Sequence, residues 1–369
     1  APNPLTPFLY SGGQQAASCI PDSLKKIIDL RVKENIEKLR KQGTLHLPDE
    51  SEKLQVIKLN WPLKNATNFT DLFSYVESNY VDHDPSTGVL DWNCGDRTYD
   101  GHNGTDISLW PFPWDMMDDK NVKVIAAADG IIVDKHDGEY DRNCTPFGQA
   151  ANYIVLEHSN GWQTIYYHLK KGTVTSKPIG ASIGKGDLLG YVGSSGNSGG
   201  VHLHFGVYDE NGNVVDPYKG SCSNTTQNVW KTQPPYWRHT VHKIMVTTVP
   251  TVYPECPNPE QKNELPTVPL GLNGYFFAFL SDLPAGDTVF LKILKPDNTV
   301  WQDYYYVYTT PYIFAYAYWI WYFDLNEPKG IWKWRVTLHG VTNTYNFNVT
   351  DPPSVAGEEM KINKPGAGD

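Results

Sequence analysis

Two short stretches of this chain hold the residues whose types and spacing could do chemistry. In VHLHFGVY (residues 201–208), strand alternation places His202 and His204 on one face and Val201, Leu203, Phe205 and Val207 on the other. Two imidazoles then project side by side from a rigid element whose opposite face can enter a core. In GHNGTD (101–106), His102 and Asp106 are four residues apart, but Gly101, Asn103 and Gly104 favour an irregular loop. That pair would converge through a turn. Two imidazoles and a carboxylate make a borderline-hard donor set that suits Zn2+ and leaves a fourth position for water, which points to catalysis rather than to a structural metal. Either pair alone carries little, because HxH and HxxxD are common in ordinary strands and loops. His168, at the end of the strand-like QTIYYHL, completes the set.

The elements that must position these residues are mostly strands. From about Val89 to Pro217 the chain reads as short β-type runs broken by Gly and Asp turns, VKVIAAADGIIVDK, NYIVLEH, GWQTIYYHL, DLLGYVG and VHLHFGVYD among them. Before them, Leu24, Ile27, Ile28, Val32, Ile36 and Leu39 recur at helical spacing over 22–42, with Asp22 as a cap behind Pro21 and Gly43 as the stop. A second helix is expected behind Thr70, with Leu72, Phe73, Val76 and Tyr80 on one face. Residues 221–250 read as a Pro- and aromatic-rich junction. After it, at least six strand candidates predict a β-sandwich over 251–350, and 351–369 reads as a flexible tail. The expected domains are therefore 1–88, a helical and extended segment packing on the catalytic unit; 89–220, the catalytic domain; the junction; the sandwich; and the tail.

The segments GHNGTDI, AAADGIIV, QTIYYHLKKG and IGKGDLLGYVGSSGNSGGVHLHFGVY resemble, in order and spacing, the lysostaphin and LytM type of zinc metalloendopeptidase, metallopeptidase family twenty-three. The resemblance covers roughly residues 98–218. It implies a mainly β fold, with an antiparallel β-sheet catalytic domain carrying N-terminal helices and followed here by the C-terminal β-sandwich. It also implies one zinc per chain held by His102, Asp106 and His204, with His168 and His202 as catalytic residues. Such a zinc lowers the pKa of a bound water to ~7. His202 can take the proton and pass it to the leaving amine, and His168, read as sharing a strand face with Tyr166 and Thr164, can hydrogen-bond the oxyanion; the two roles are exchangeable. The implied substrate is peptidoglycan or a Gly-rich peptide, cut at Gly-containing or D-amino-acid bonds.

Departures from the family pattern leave the ligands untouched. Gly206 stands where Glu is usual after HLHF, and Gly199-Gly200-Val201 where Gly-Pro is usual. WPFPWDMMDDKN is longer than the minimal family version and could wall a cleft, which makes Trp110 and Trp114, with Tyr166 and Asn197, candidate substrate contacts. Two other functions stay open: a metal-free module that binds the wall or activates an amidase, and a zinc carboxypeptidase trimming stem peptides.

Other chemistries find no support. Gly196-Asn197-Ser198-Gly199-Gly200 matches GxSxG but leads into a strand-like run, not the helix a nucleophile elbow needs. Neither a phosphate loop, a dinucleotide fingerprint nor HExxH occurs. Asp134, Asp137, Glu139 and Asp141 lack the EF-hand spacing and read as an acidic turn.

Lys plus Arg number 31 against 41 Asp plus Glu, a formal charge of −10 over 369 residues, so no overall field gathers nucleic acid. The longest apolar run, Tyr312 to Phe323, is shorter than the ~20 residues of a membrane-spanning helix. A monomer is expected. The start at Ala1 fits a secreted bacterial protein whose signal peptide is already removed. Cys94, Cys144, Cys222 and Cys256 form no CxxC motif and read as disulfides of an oxidising compartment, paired 94 with 144 and 222 with 256, which leaves Cys19 over. Aromatic residues make up 13% of the chain, densest between Tyr275 and Trp334; sandwich core packing, sugar stacking or cover for the catalytic domain would each use them.

Overall fold

The computed structural model describes residues 19–352, apart from residues 54 and 226 and the side chain of Asp22. In chain order its elements are α1 (Asp22–Lys41), α2 (Glu50–Lys53), β1 (Leu63–Asn65), β2 (Tyr75–Asn79), β3 (Thr105–Leu109), α3 (Pro113–Asp118), β4 (Val122–Ile125), β5 (Gly130–His136), β6 (Tyr153–Glu157), β7 (Gln163–Tyr167), β8 (Ser182–Ile183), β9 (Leu188–Tyr191) and β10 (His202–Tyr208). Then follow β11 (Thr240–Thr247), β12 (Thr267–Pro269), β13 (Asn273–Leu283), β14 (Thr288–Leu294), β15 (Val300–Val307), β16 (Tyr312–Tyr322), β17 (Gly330–Leu338) and β18 (Val341–Thr350). The fold is mainly β and almost wholly antiparallel; β12 with β18 is the one parallel pair of strands among the described residues.

The half that carries the candidate catalytic residues is built on a 7-stranded sheet ordered β2-β3-β10-β7-β6-β5-β8, with a 3-stranded sheet β1-β4-β9 facing it. Leu203, Phe205 and Val207 of β10, Ile154 and Leu156 of β6 and Tyr166 of β7 fill the core between the sheets with Val122, Val124 and Leu189. β10, in the middle of the large sheet, therefore aims its histidines at the other face. Helix α1 covers that face. Ile28, Val32, Ile36 and Leu39 form its buried stripe against Val133, Tyr153, Val155, Ile165 and Tyr167, each aliphatic side chain worth ~1.5–3 kcal/mol when taken from water. Polar ties fix the helix: Arg31 to Asp134 at 2.9 Å, Arg40 to Glu157 at 2.8 Å, and the Asn35 amide to the Val133 carbonyl at 2.8 Å. The helix begins at Asp22, with Pro21 in the cap position and no side-chain cap, and it stops before Gly43, whose φ of 70° suits glycine.

The C-terminal half packs the sheet β11-β13-β16 on the sheet β12-β18-β17-β14-β15. Strand alternation divides its aromatic residues. Phe276, Trp319, Trp321, Phe323, Trp332, Trp334 and Phe347 point into the sandwich core. Phe277, Phe279, Phe314, Tyr316 and Tyr318 point the other way, onto Val76, Trp110 and Phe112 of the catalytic half. The densest aromatic stretch thus serves two interiors. Across the same interface Arg97 pairs with Asp282 at 2.7 Å with both side chains buried, and Arg238 pairs with Glu77 at 2.5 Å.

Several elements differ from the sequence reading. The expected second helix is loop up to Ser74 and then strand β2, at the edge of the large sheet, with Tyr75 opposite Leu109 and Val76 opposite Ser108. Leu72, Phe73, Val76 and Tyr80 fit a helical period by coincidence; Ser74, Tyr75, Val76 and Ser78 are poor helix formers, and the free edge of β3 satisfies the backbone. Strands β1 and β2 come from the segment assigned outside the catalytic unit, and β11 from the assigned junction. The disulfides join Cys94 to Cys222 and Cys144 to Cys256, not 94 to 144 and 222 to 256. Proximity in sequence misleads because the chain leaving β10 returns past Trp92, whose carbonyl accepts from the Cys222 amide at 3.1 Å. Likewise the Arg142 side chain reaches the Pro257 carbonyl at 2.6 Å and brings the neighbouring cysteines together. Residues 1–18 and 353–369, including most of the assigned tail, lie outside the described residues.

Buried His242 ties the halves together: its Nδ1–H donates to the Phe73 carbonyl at 3.2 Å and its Nε2 accepts from Ser281 at 2.8 Å. Burial pushes its pKa down from 6.5 to about 3. Between those values the unfolded chain binds a proton that the native chain refuses, so stability is full above pH ~6.5 and falls with acidity, by about 2 kcal/mol at pH 5. Thermal melts at pH 7.5 and 5 should show a smaller drop in Tm for His242→Gln than for the native chain; equal drops would contradict this assignment.

Candidate metal centre and catalytic histidines

Strand register brings the donors together. In the β3–β10 pairing His204 lies directly opposite Asp106, at the Cβ separation of ~5 Å that lets two side chains on one face meet. His102 reaches the same point from the loop before β3, held by its Nδ1–H, which donates to the Tyr80 carbonyl at 2.6 Å. The separations are 3.2 Å from His102 Nε2 to Asp106 Oδ1, 3.0 Å from His204 Nδ1 to Asp106 Oδ1, and 3.2 Å from His102 Nε2 to His204 Nδ1. Bonds of ~2.0–2.2 Å at tetrahedral angles to one zinc put nitrogen and oxygen donors about 3.3 Å apart. The triangle fits that ion, and all three residues are buried. Burial alone would raise the Asp106 carboxyl, but the imidazoles of His102 and His202 and hydrogen bonds from His102 and His204 outweigh it and hold the carboxyl well below the usual range. Outer support comes from Asn79, whose amide donates to Asp106 Oδ2 at 3.4 Å, and from Ser78, which bonds the Asp106 carbonyl at 3.2 Å.

His202 and His168 stand beside the triangle with ring centroids 4.5 Å apart. Simple alternation along β7 would put His168 on the face of Tyr166, in the core. The backbone does otherwise: His168 has a φ of 66°, and this left-handed residue just past β7 turns the ring to the histidine face. A non-glycine residue held there is the kind of local strain that functional sites carry. The Nδ1–H of His168 donates to the Ser195 carbonyl at 2.6 Å, and that of His202 to the Gly200 carbonyl at 2.9 Å. Each ring therefore turns its Nε2 into the site, that of His202 to within 3.6 Å of Asp106 Oδ1. The His168 Nε2 is buried and has no hydrogen-bond partner, so it waits for a ligand. Burial first, then neighbouring His202 and His204, pushes the His168 pKa well below normal and keeps the ring neutral; burial likewise lowers that of His204.

The candidate substrate contacts fall elsewhere. Tyr166 is fully buried, and its hydroxyl accepts from the Ala127 amide at 2.8 Å in the core. Trp110 packs on Phe314 and Phe279 of the sandwich, with centroids 5.4 and 6.3 Å away. Trp114 lies in the catalytic core under the Arg142 guanidinium. Asn197 is buried and fixes a loop, its Oδ1 accepting from the Gly148 amide at 2.7 Å. A long loop rich in tryptophan reads equally as cleft wall or as anchor, and here it anchors.

Two features escaped the sequence reading. Cys19 is fully buried with its Sγ 3.6 Å from both Asp106 carboxylate oxygens and 3.7 Å from His202 Nε2. Burial and the Asp106 charge push its pKa well above normal. The one available signal was arithmetic, an odd cysteine. His239 and His339, which belong to no motif, stack at 3.7 Å and both bond Asp287, at 2.8 and 3.0 Å; nothing in their spacing announces this.

Three mutually close donors, two on paired antiparallel strands and one on the loop before them, flanked by two imidazoles, make the kind of set that a metal-dependent hydrolase uses. The chain's relatives agree with that class. Residues 101–217 match the profile of Peptidase family M23, and the chain carries an M23 peptidase domain of the LytM type there. An uncharacterized metalloprotease of Haemophilus influenzae is 31% identical over 128 residues, 35% of this chain and 22% of that protein. The peptidoglycan DD-endopeptidase ShyA of Vibrio cholerae is 31% identical over 104 residues, 28% of this chain and 19% of that protein. The DD-carboxypeptidase/endopeptidase Mpg of Neisseria meningitidis is 36% identical over 95 residues, 26% of this chain and 19% of that protein. The chain thus spans about a fifth of the length of these curated relatives.

Gly104 makes the donor geometry possible, since a Cβ there would lie 2.6 Å from His204 Cε1, 2.7 Å from its Nε2 and 2.9 Å from the Phe205 carbonyl. Gly104→Ala should push the His204 ring off the triangle and weaken zinc binding by roughly 10- to 100-fold, the cost typical of disturbing a ligand's support. Chelator competition reads this directly, and unchanged affinity would show that His204 is not a ligand.

Proposed function

We propose that this chain is a secreted zinc endopeptidase that hydrolyses peptide cross-links of bacterial peptidoglycan at Gly-containing or D-amino-acid bonds. The observation that carries the reading is the buried His102, Asp106 and His204 triangle with the unpartnered Nε2 of His168 and the Nε2 of His202 beside it. The match to family M23 and the peptidoglycan-cutting relatives supply the substrate class. Two disulfides fit an oxidising compartment. Among the described residues no helix is long and apolar enough to cross a membrane.

A zinc held by His102, Asp106 and His204 would supply Lewis acidity to the attacking water and the scissile carbonyl. The chain's own groups then handle the proton. With their Nδ1–H bonds committed to the Ser195 and Gly200 carbonyls, either ring when neutral is an acceptor at Nε2 and cannot donate to an oxyanion until it has gained a proton there. One ring therefore takes the proton of the attacking water at Nε2, and the resulting N–H is the donor available to the oxyanion and then to the leaving amine. Proton abstraction and oxyanion contact are thus successive acts of the same nitrogen, a tighter coupling than two fixed roles. The likeness to the DD-carboxypeptidase/endopeptidase Mpg supports a second reading, carboxypeptidase trimming of stem peptides.

Metal analysis should find about one zinc per chain. Purified cross-linked muropeptide dimers should be split by the metal-loaded chain, and a chelator should abolish the cut. Cys19 fills space beside the ligands, so Cys19→Ala is assayed in parallel. His202→Ala and His168→Ala should each keep zinc and lower the rate by roughly 100- to 10,000-fold. Terminal residues released from dimers that stay intact would establish the carboxypeptidase instead.

A further inference from the structure

We infer that Cys19 is a fourth protein ligand of the zinc, and that the segment bearing it, with α1, holds the enzyme in a latent state; this rests on the zinc-peptidase reading above. The Cys19 Sγ joins His102, Asp106 and His204 in a cluster whose ligand atoms all lie within 4.8 Å of one another. Its distance to the Asp106 oxygens is 3.6 Å for each. A zinc bound to sulfur at ~2.3 Å and to oxygen at ~2.1 Å at a tetrahedral angle sets those two donors about 3.6 Å apart. The sulfur therefore lies at a co-ligand's distance from Asp106 and within 4.8 Å of the imidazole donors of His102 and His204.

The surroundings are arranged for sulfur. The Tyr99 hydroxyl donates to Sγ at 2.8 Å, and the Tyr99 ring stacks on His102 at 4.3 Å, so one residue braces both an established candidate ligand and the new one. On its other side Sγ is 3.7 Å from His202 Nε2, and Cys19, His168 and His202 form a second close grouping. The thiol thus occupies the ground between the metal and both proton-handling rings, where the attacking water and the scissile carbonyl have to enter. The buried Nε2 of His168 is left facing that ground without a hydrogen bond. Cys19 takes no part in either disulfide, although the other four cysteines are all bridged.

The tether is built to hold and to be cut. Ile20 is buried, and α1 follows at once with its aliphatic stripe and its ties to Asp134 and Glu157 on β5 and β6. Beyond the helix, residues 42–44, 46 and 47 are exposed, with Leu47 at 63%. Cleavage there would separate the Cys19-bearing segment from the rest of the chain, leaving its hold on the sheet non-covalent. Departure of Sγ opens the fourth position to water.

X-ray absorption at the zinc edge of the full native chain should show one sulfur at ~2.3 Å with nitrogen and oxygen neighbours. The cobalt-substituted chain should show a near-ultraviolet thiolate-to-metal charge-transfer band that is absent from Cys19→Ser. Limited proteolysis within 42–47 should remove the sulfur signal and raise dimer cleavage roughly tenfold or more. The absorption measurement needs no variant, so a misfolded Cys19→Ser cannot hide the answer. A native shell of nitrogen and oxygen alone, with equal cleavage by native, cut and Cys19→Ser chains, overturns this inference and leaves the zinc peptidase standing. Absence of zinc and of cleavage in every form would instead overturn the peptidase reading.

Discussion

The register of β3 against β10 is the constraint on which the rest depends. It sets His204 opposite Asp106 and His202 opposite Ser108, while Leu203 and Phe205 alternate into the core. A slip by one residue would turn both histidines inward and expose two large apolar side chains, so the hydrophobic core itself enforces the alignment of the donors. On the other side of β10, Tyr167 pairs with His204 and delivers His168 as the next residue. The candidate metal centre borrows its precision from packing that contains no chemistry at all.

The opposite face of that sheet shows a second dependence. The alternation in VHLHFGVY suggests a strand with one wet face, yet every residue of β10 is buried. Helix α1 makes the difference by closing over Tyr153, Ile165 and Tyr167. Ionisable groups are consequently held away from solvent, where burial lowers the His168 and His204 imidazoles while neighbouring imidazoles outweigh it at Asp106.

Much of this was legible from the residues. The candidate donors His102, Asp106 and His204, which the structure brings together, followed from strand alternation and donor chemistry together with family order, and the α1 stripe from its period. The failures share a cause: each needed a distance that no local pattern encodes. Disulfide partners were set by how the chain returns after β10, and the placement of Trp110 by a sandwich that arrives later in sequence. The face of His168 was set by one positive φ, which alternation rules assume away. β2 showed a helical period, but an available sheet edge outweighed it. Cys19 carried no motif because its partners lie 83, 87 and 185 residues downstream, being His102, Asp106 and His204.

The outer face of the sheet β11-β13-β16 gives the C-terminal half a meaning beyond accessory. Its Phe277, Phe279 and Phe314 are covered by Trp110 and Phe112, and the Cys144–Cys256 bridge closes the same seam covalently. The loop carrying Trp110 runs directly out of β3, the strand of Asp106. A shuffling event that exchanged this sandwich for another would therefore not trade one targeting device for a second. It would leave the exit of the strand that carries Asp106 without its wall.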